Sequence, residues 1–272
     1  MSRSIPIILT LALLSCAPKQ QVVEVPVAVP PPPIDHGALL SQQGADAVLW
    51  QNSSAEAYRL FQQGYELARI RMAENMARSK GPYAVIVDID ETVLDNSPYQ
   101  VSLVRDGRTY EQASWKEWTD RSSAKASPGA LDFLLHAQAS GCEVFYITNR
   151  DVRERASTLK NLTELGFPFA DESHLLLMDG ASDKTERRAK VAATHRIVLL
   201  VGDQLRDFDE RFKDRTVNHG KDLVDAHADT LMQYFVLLPN PTYGTYRDAV
   251  LGKGSEAEKY EKMKEWMKHN GY

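Results

Sequence analysis

Five short apolar runs constrain this chain more than any other feature. YAVIV, CEVFYIT, HLLLM, RIVLLV and QYFVLL lack the polar–apolar alternation of a strand with one wet face. Successive strand side chains point to opposite sides of a sheet, so a run apolar at every position must be covered on both sides. The segments between the runs have helical periodicity: SPGALDFLLHAQASG, VRERASTLKNLTELG and TERRAKVAATH. In the first, Ser127 is expected as N-cap, Pro128 in the first turn and Gly141 past the end; Gly166 closes the second. Apolar strands alternating with helices predict an α/β fold, a doubly wound, Rossmann-like parallel sheet with helices on both faces.

This core is expected over residues 81–272, with a small insertion at about 96–127. Residues 37–80 read as an N-terminal helical addition. In AEAYRLFQQGYELARIRMAENMA, Ala57, Leu60, Phe61, Tyr65, Leu67 and Ile70 recur mostly at three- and four-residue steps, and Ser53-Ser54-Ala55-Glu56 reads as a capping box. Ahead lies a linker, residues 16–36, containing VVEVPVAVPPPPIDH, whose prolines favour an extended spacer.

The first fifteen residues stand outside the fold. Arg3 gives a positive end and residues 5–14 an apolar stretch, well short of the ~20 residues of a membrane-spanning helix. The pattern is that of an export signal. Leu13-Leu14-Ser15-Cys16 resembles the lipobox of bacterial lipoproteins. That resemblance implies acylation of Cys16 and a lipid anchor in the bacterial outer membrane, since Ala17 is not the Asp of an inner-membrane retention signal. Cys142 is the one other cysteine, so acylation of Cys16 leaves no internal disulfide; Cys142 is expected as a small buried side chain. A net charge of −5 without a dense Lys/Arg stripe excludes a nucleic-acid surface.

Ligands of such sheets sit beyond the carboxyl ends of the strands. There the sequence delivers Asp88 and Asp90, Thr148 and Asn149, and Asp203, while Lys184 opens the helix after the third strand. Asp88 and Asp90 are two apart and share a side of an extended exit; Asp203 and Asp207 are four apart and share a helical face. Four carboxylates at one rim repel unless a cation intervenes. An all-oxygen set suits Mg²⁺, whose octahedral shell is shared among a few carboxylates, water and phosphate. No histidine spacing suggests zinc.

Asp88-Ile89-Asp90-Glu91-Thr92 after a buried strand, Thr148-Asn149-Arg150 after the next and Gly202-Asp203 through Asp207 after a later one resemble the haloacid dehalogenase (HAD) superfamily. IVDIDETVLDNSPY and IVLLVGDQLRDF narrow the resemblance to the bacterial class C, or DDDD, acid phosphatases; LWQNSSAEAYRLFQQGYELA and LPNPTYG agree, over most of residues 45–270. The resemblance implies hydrolysis of phosphate monoesters, with nucleoside monophosphates and aryl phosphates as good substrates. Asp88 would attack phosphorus, and Asp90 would serve as acid and base, its carbonyl on the metal. Thr148 and Lys184 would steady the phosphoryl group, and Asp88, Asp90, Asp203 and Asp207 would form the metal site. Trp115 and Tyr243 resemble an aromatic clamp for the substrate ring, and a homodimer is compatible with the family.

Other residues admit two readings. Asn149 and Arg150 either bind phosphate or cap the following helix; Glu91 and Asp95 touch substrate or hold the loop. Arg187, Arg188 and Lys190 are expected on a solvated helix face, His219 in a surface loop and Trp118 in the core. The alternatives to hydrolysis are a phosphotransferase and a lipoprotein that captures nucleotides or haem without turnover. Retention of both Asp88 and Asp90 counts against the last.

Overall fold

The strand that carries the acidic motif is the middle of the sheet. The computed structural model describes residues 32–271. The expected signal peptide, Cys16 and most of the linker lie outside them. A contiguous body begins at Asp35. Its first helices are α1 (His36–Gln42), α2 (Ala45–Ser53) and α3 (Ala55–Ala77). Next come β1 (Tyr83–Val87), β2 (Leu94–Asp95), α4 (Ser97–Arg105), α5 (Gln112–Thr119), β3 (Lys125–Ala126), α6 (Ala130–Ala139), β4 (Cys142–Asp151) and α7 (Arg155–Glu164). The chain continues through β5 (Leu175–Met178), α8 (Thr185–Ala192), β6 (Arg196–Gly202), α9 (Leu205–Phe208), α10 (Lys221–Ala226), α11 (Ala228–Tyr234) and β7 (Phe235–Leu237). It ends with α12 (Thr245–Leu251) and α13 (Glu256–Asn270).

Five strands form a parallel sheet in the order β5-β4-β1-β6-β7. After β1 the chain winds outward through β4 to β5, then returns to the other side of β1 for β6 and β7. The reversal opens a crevice between the carboxyl ends of β1 and its neighbours, where ligands of this architecture bind. Both faces are covered, as the apolar runs require. Val85 and Val87 join Phe61, Tyr65, Ala68 and Met72 of α3 and Phe133 and Leu134 of α6 in one core. Ala84 and Ile86 point the other way, into a core with Phe145, Val191, Leu200 and Phe235. The two-stranded β2–β3 ladder brackets α4 and α5, over the stretch where a small insertion is expected.

Helix α3 is an integral layer. Asn75 Nδ2 donates to Val198 O at 2.8 Å and Gln233 O at 2.9 Å, tying it to β6 and to the approach to β7. Cys142 is buried and unpaired. Trp118 packs against the core, and His219 is exposed, in a short 3-10 turn (Asn218–Gly220) rather than an irregular loop.

Two local expectations are corrected. Ser54 caps α3, its Oγ accepting the Ala57 N–H at 3.0 Å, but the third helical residue is Ala57, so Glu56 cannot return the bond of a capping box. Helix α6 starts at Ala130 rather than beside Ser127. Gly129, at φ 87°, interrupts the helical backbone, and Ser127-Pro128-Gly129 forms a turn closed by Ala130 N–H on Ser127 O at 3.1 Å.

Candidate active site

The β1 ladder runs directly into the site: Asp88 N–H donates to Val201 O at 3.0 Å. Three amides, of Thr92, Val93 and Leu94, then converge on Ile89 O and curl the chain into a tight loop. Glu91 takes φ 55° there, a left-handed conformation uncommon outside glycine. Its buried carboxylate holds the turn by accepting the Asn96 N–H at 3.0 Å and the Tyr243 hydroxyl. Asp95 accepts the Ser97 N–H at 2.9 Å. Both acids thus have loop-holding contacts.

Carboxylate oxygens of Asp88, Asp203 and Asp207 come within 4.8 Å of one another. All three residues are buried, and so is Lys184, whose ammonium lies against Asp88 and 2.7 Å from Asp207 Oδ1. Asn240 Nδ2 and Gln204 Nε2 donate to Asp203 Oδ2 at 2.7 and 3.0 Å. Burial pushes the Asp88 carboxyl well above its usual range; Lys184 opposes this and the neighbouring carboxylates add to it. Asp203 is pushed up to about 7 by burial and by Asp207. Burial lowers Lys184, but Asp207 and Asp88 outweigh it and raise the ammonium above its ordinary value. One ammonium does not offset three buried carboxylates. The all-oxygen set therefore fits a hard divalent cation.

Asp90 is the exception among the four expected metal-binding carboxylates. Its side chain turns from the cluster to Arg150, whose Nη2 and Nε lie 2.8 and 3.0 Å from Oδ1. The Asp90 side chain is thus not part of the carboxylate cluster. Arg150, expected at the substrate or at a helix cap, is almost fully buried and spends its guanidinium on Asp90 and on Thr158 Oγ1 at 3.2 Å. Thr148 is fully buried; its hydroxyl accepts the Arg150 N–H at 3.0 Å and lies 3.5 Å from Asp90 Oδ2. Asn149 is exposed and accepts Arg187 Nη2 at 2.7 Å. Arg187 departs from the solvated face expected for it. It is buried, and also donates to Thr148 O, fixing the carboxyl end of β4. Arg188 is half-buried against Asp207 O at 3.2 Å, and Lys190 is exposed as expected.

Above the carboxylates opens a cavity of about 510 Å³. Asp88, Asp90, Lys184, Asn149, Trp115 and Tyr243 all line it. Trp115 is only 7% exposed: it meets Tyr99 edge-on at 5.2 Å, with the Arg150 guanidinium 5.7 Å from its ring centre. Little of its ring is open to the cavity it lines. Tyr110, 57% exposed and also in the wall, was not singled out by sequence reasoning. Nor were Gln204 and Asn240, whose one signal was their place in IVLLVGDQLRDF and LPNPTYG; Asn96 was legible only as a position of the IVDIDETVLDNSPY motif, without a role. The outer wall comes from Ser41 of α1, Arg247 of α12 and Glu256 and Lys259 of α13.

A family model described as HAD superfamily, subfamily IIIB (acid phosphatase) matches residues 12–246. Acid phosphatase 1 of Solanum lycopersicum is 32% identical over 131 residues, 45% of this chain and 50% of that protein. The stem 31 kDa glycoprotein of Glycine max is 28% identical over 139 residues, 48% and 55% of the two. The chain thus spans about half the length of these curated relatives. Among solved structures, the class C acid phosphatase from Bacillus anthracis is 35% identical with a TM-score of 0.78, covering 83% of this chain and 97% of that one. The same enzyme with tungstate bound gives 34% and 0.79 over the same shares.

Proposed function

Since the chain belongs to the acid phosphatases of HAD subfamily IIIB, with the class C fold, we propose that it hydrolyses phosphate monoesters through a phosphoryl group carried on Asp88. The observation that carries this reading is a buried Asp88 held by Lys184 at the floor of an open cavity, with Asp90 two residues away. An Asp88 oxygen attacks phosphorus as the bond to the ester oxygen breaks, and Asp90 gives that oxygen its proton. Asp90 then takes a proton from the water that attacks the aspartyl phosphate; phosphate leaves and Asp88 is restored. Lys184 neutralises charge on the transferring oxygens. Asp88, Asp203, Asp207 and the Asp90 carbonyl would hold Mg²⁺, which would offset the remaining negative charge.

The bound tungstate of the Bacillus anthracis enzyme, a tetrahedral oxyanion, agrees with a site for a phosphoryl group. The cavity is much larger than phosphate alone needs, and Tyr243, Tyr110 and the edge of Trp115 supply aromatic surface. Nucleoside monophosphates and aryl phosphates fit that wall. The lipobox-like Cys16 supports attachment to the outer membrane.

The test is Asp88→Asn, since an amide is not a nucleophile. Turnover of 4-nitrophenyl phosphate should fall at least a hundredfold while the thermal transition persists. A folded variant that keeps its activity removes Asp88 from this role.

A further inference from the structure

The two oxygens of Asp90 have unequal surroundings. Oδ1 receives Asn96 Nδ2 at 2.8 Å, Arg150 Nη2 at 2.8 Å and Arg150 Nε at 3.0 Å. Oδ2 has only Arg150 Nε at 3.3 Å and Thr148 Oγ1 at 3.5 Å. Asn96 is fully buried, and its amide orientation is fixed. Its Oδ1 accepts Trp118 Nε1 at 2.8 Å, and an indole nitrogen can only donate. Its backbone N–H is held by Glu91 Oε1 at 3.0 Å. Its Oδ1 also lies 3.5 Å from Arg150 Nη2, and its backbone O accepts the Tyr99 N–H at 2.9 Å, so Asn96 is held through both side chain and backbone, with the Asp90 carboxylate among its partners.

We infer that Asn96 is a positioning residue that, with Arg150, commits Oδ1 of Asp90 and leaves Oδ2 as the oxygen that exchanges the proton with the leaving group. Trp118 acts one step further back, by fixing the Asn96 amide. Arg150 serves Asp90 in this scheme rather than the substrate. The inference rests on the proposed hydrolysis through Asp88 and Asp90, and the roles it assigns to Asn96, Arg150 and Trp118 act through Asp90.

Leaving-group dependence tests it. Phenyl and 4-nitrophenyl phosphate present rings of like size to the cavity, but phenolate departs poorly without a proton and 4-nitrophenolate departs well. The constant kcat/KM reports the steps up to that departure. A displaced Asp90 should penalise the phenyl ester selectively, within the ~10²–10⁴ that general acid–base catalysis supplies. In Asn96→Ala, kcat/KM for phenyl phosphate should fall about tenfold further than for 4-nitrophenyl phosphate. Trp118→Phe, which removes the indole donor and keeps a ring, should shift the ratio the same way by a smaller factor. If folded Asn96→Ala loses both substrates equally, or neither, the inference is overturned. Should Asn96→Ala give no cooperative thermal transition, the Trp118→Phe ratio decides, and an unchanged ratio overturns the inference. A wild-type protein inactive on both esters instead overturns the underlying hydrolytic reading.

Discussion

A methyl group added at Gly202 would run into the Asp207 carboxylate. The residue that ends β6 must therefore be small for Asp207 to fold back toward Asp88 and Asp203. Gly202→Ala should displace Asp207 and raise the Mg²⁺ concentration for half-maximal activity about tenfold or more, as disturbed supports of metal ligands do. An unchanged Mg²⁺ titration in the folded variant would contradict this. Tyr243 permits a second separation. Tyr243→Ala removes a stacking surface worth ~1–3 kcal/mol, so kcat/KM for a nucleoside monophosphate should drop roughly ten- to a hundredfold. A small alkyl phosphate should lose much less; equal losses would mean that Tyr243 supports the Glu91 loop and not the substrate ring. At this scale the sequence is legible where chemistry follows a strand end. Asp88 and Asp203 converge because they follow the carboxyl ends of the adjacent strands β1 and β6, and Asp207 joins them from α9, the helical turn after β6. The ion pair of Arg150 with Asp90 and the burial of Arg187 were not legible. Both depend on which side chain meets a cation across the fold, and a basic residue beside a helix looks the same whether it is solvated or enclosed.

Among the elements, α3 shows how far support for the site reaches. Tyr65, buried on its inner face, donates its hydroxyl to Thr92 O at 2.9 Å and so braces the acidic loop from behind. Asn75 fastens the same helix to two backbone carbonyls of the β6–β7 side. Asn75→Ala would strand these acceptors, at ~1–3 kcal/mol for a buried group left unsatisfied. Urea denaturation should show a lower midpoint with an unchanged slope, and activity well below the transition should persist. A loss below a few tenths of a kcal/mol would mean that water replaces the amide. The spacing of Ala57, Phe61 and Tyr65 made the helix readable, but Leu60, Leu67 and Ile70 of the expected stripe are exposed and Ala68 and Met72 complete the buried face instead. Its task was not readable, because nothing local identifies a backbone carbonyl 27 residues ahead as the partner of Tyr65. The start of α6 was misjudged for a similar reason: Ser-Pro-Gly fits a first helical turn and a free-standing turn equally, and the conformation of Gly129 decides.

For the whole molecule, sheet order was readable only as a class. Apolar runs require a parallel sheet with two covered faces, yet five such runs do not state which neighbours pair. The proposed attachment to a membrane belongs to the same scale. Cys16→Ser should abolish incorporation of labelled palmitate and release the protein from membrane fractions; equal labelling of the variant would refute the lipobox reading. Chemistry and access, finally, are assigned to parts of unequal firmness. The carboxylates rest on the central strands, while the outer wall of the cavity includes α13, which contributes no buried residue. Detaching such a helix exposes little apolar surface, so it should open at a small fraction of the free energy of global unfolding. Amide hydrogens of α13 should then exchange with solvent far sooner than those of β1. The traffic of esters in and phosphate out would have its own clock, independent of how fast the phosphorus–oxygen bond is broken beneath it.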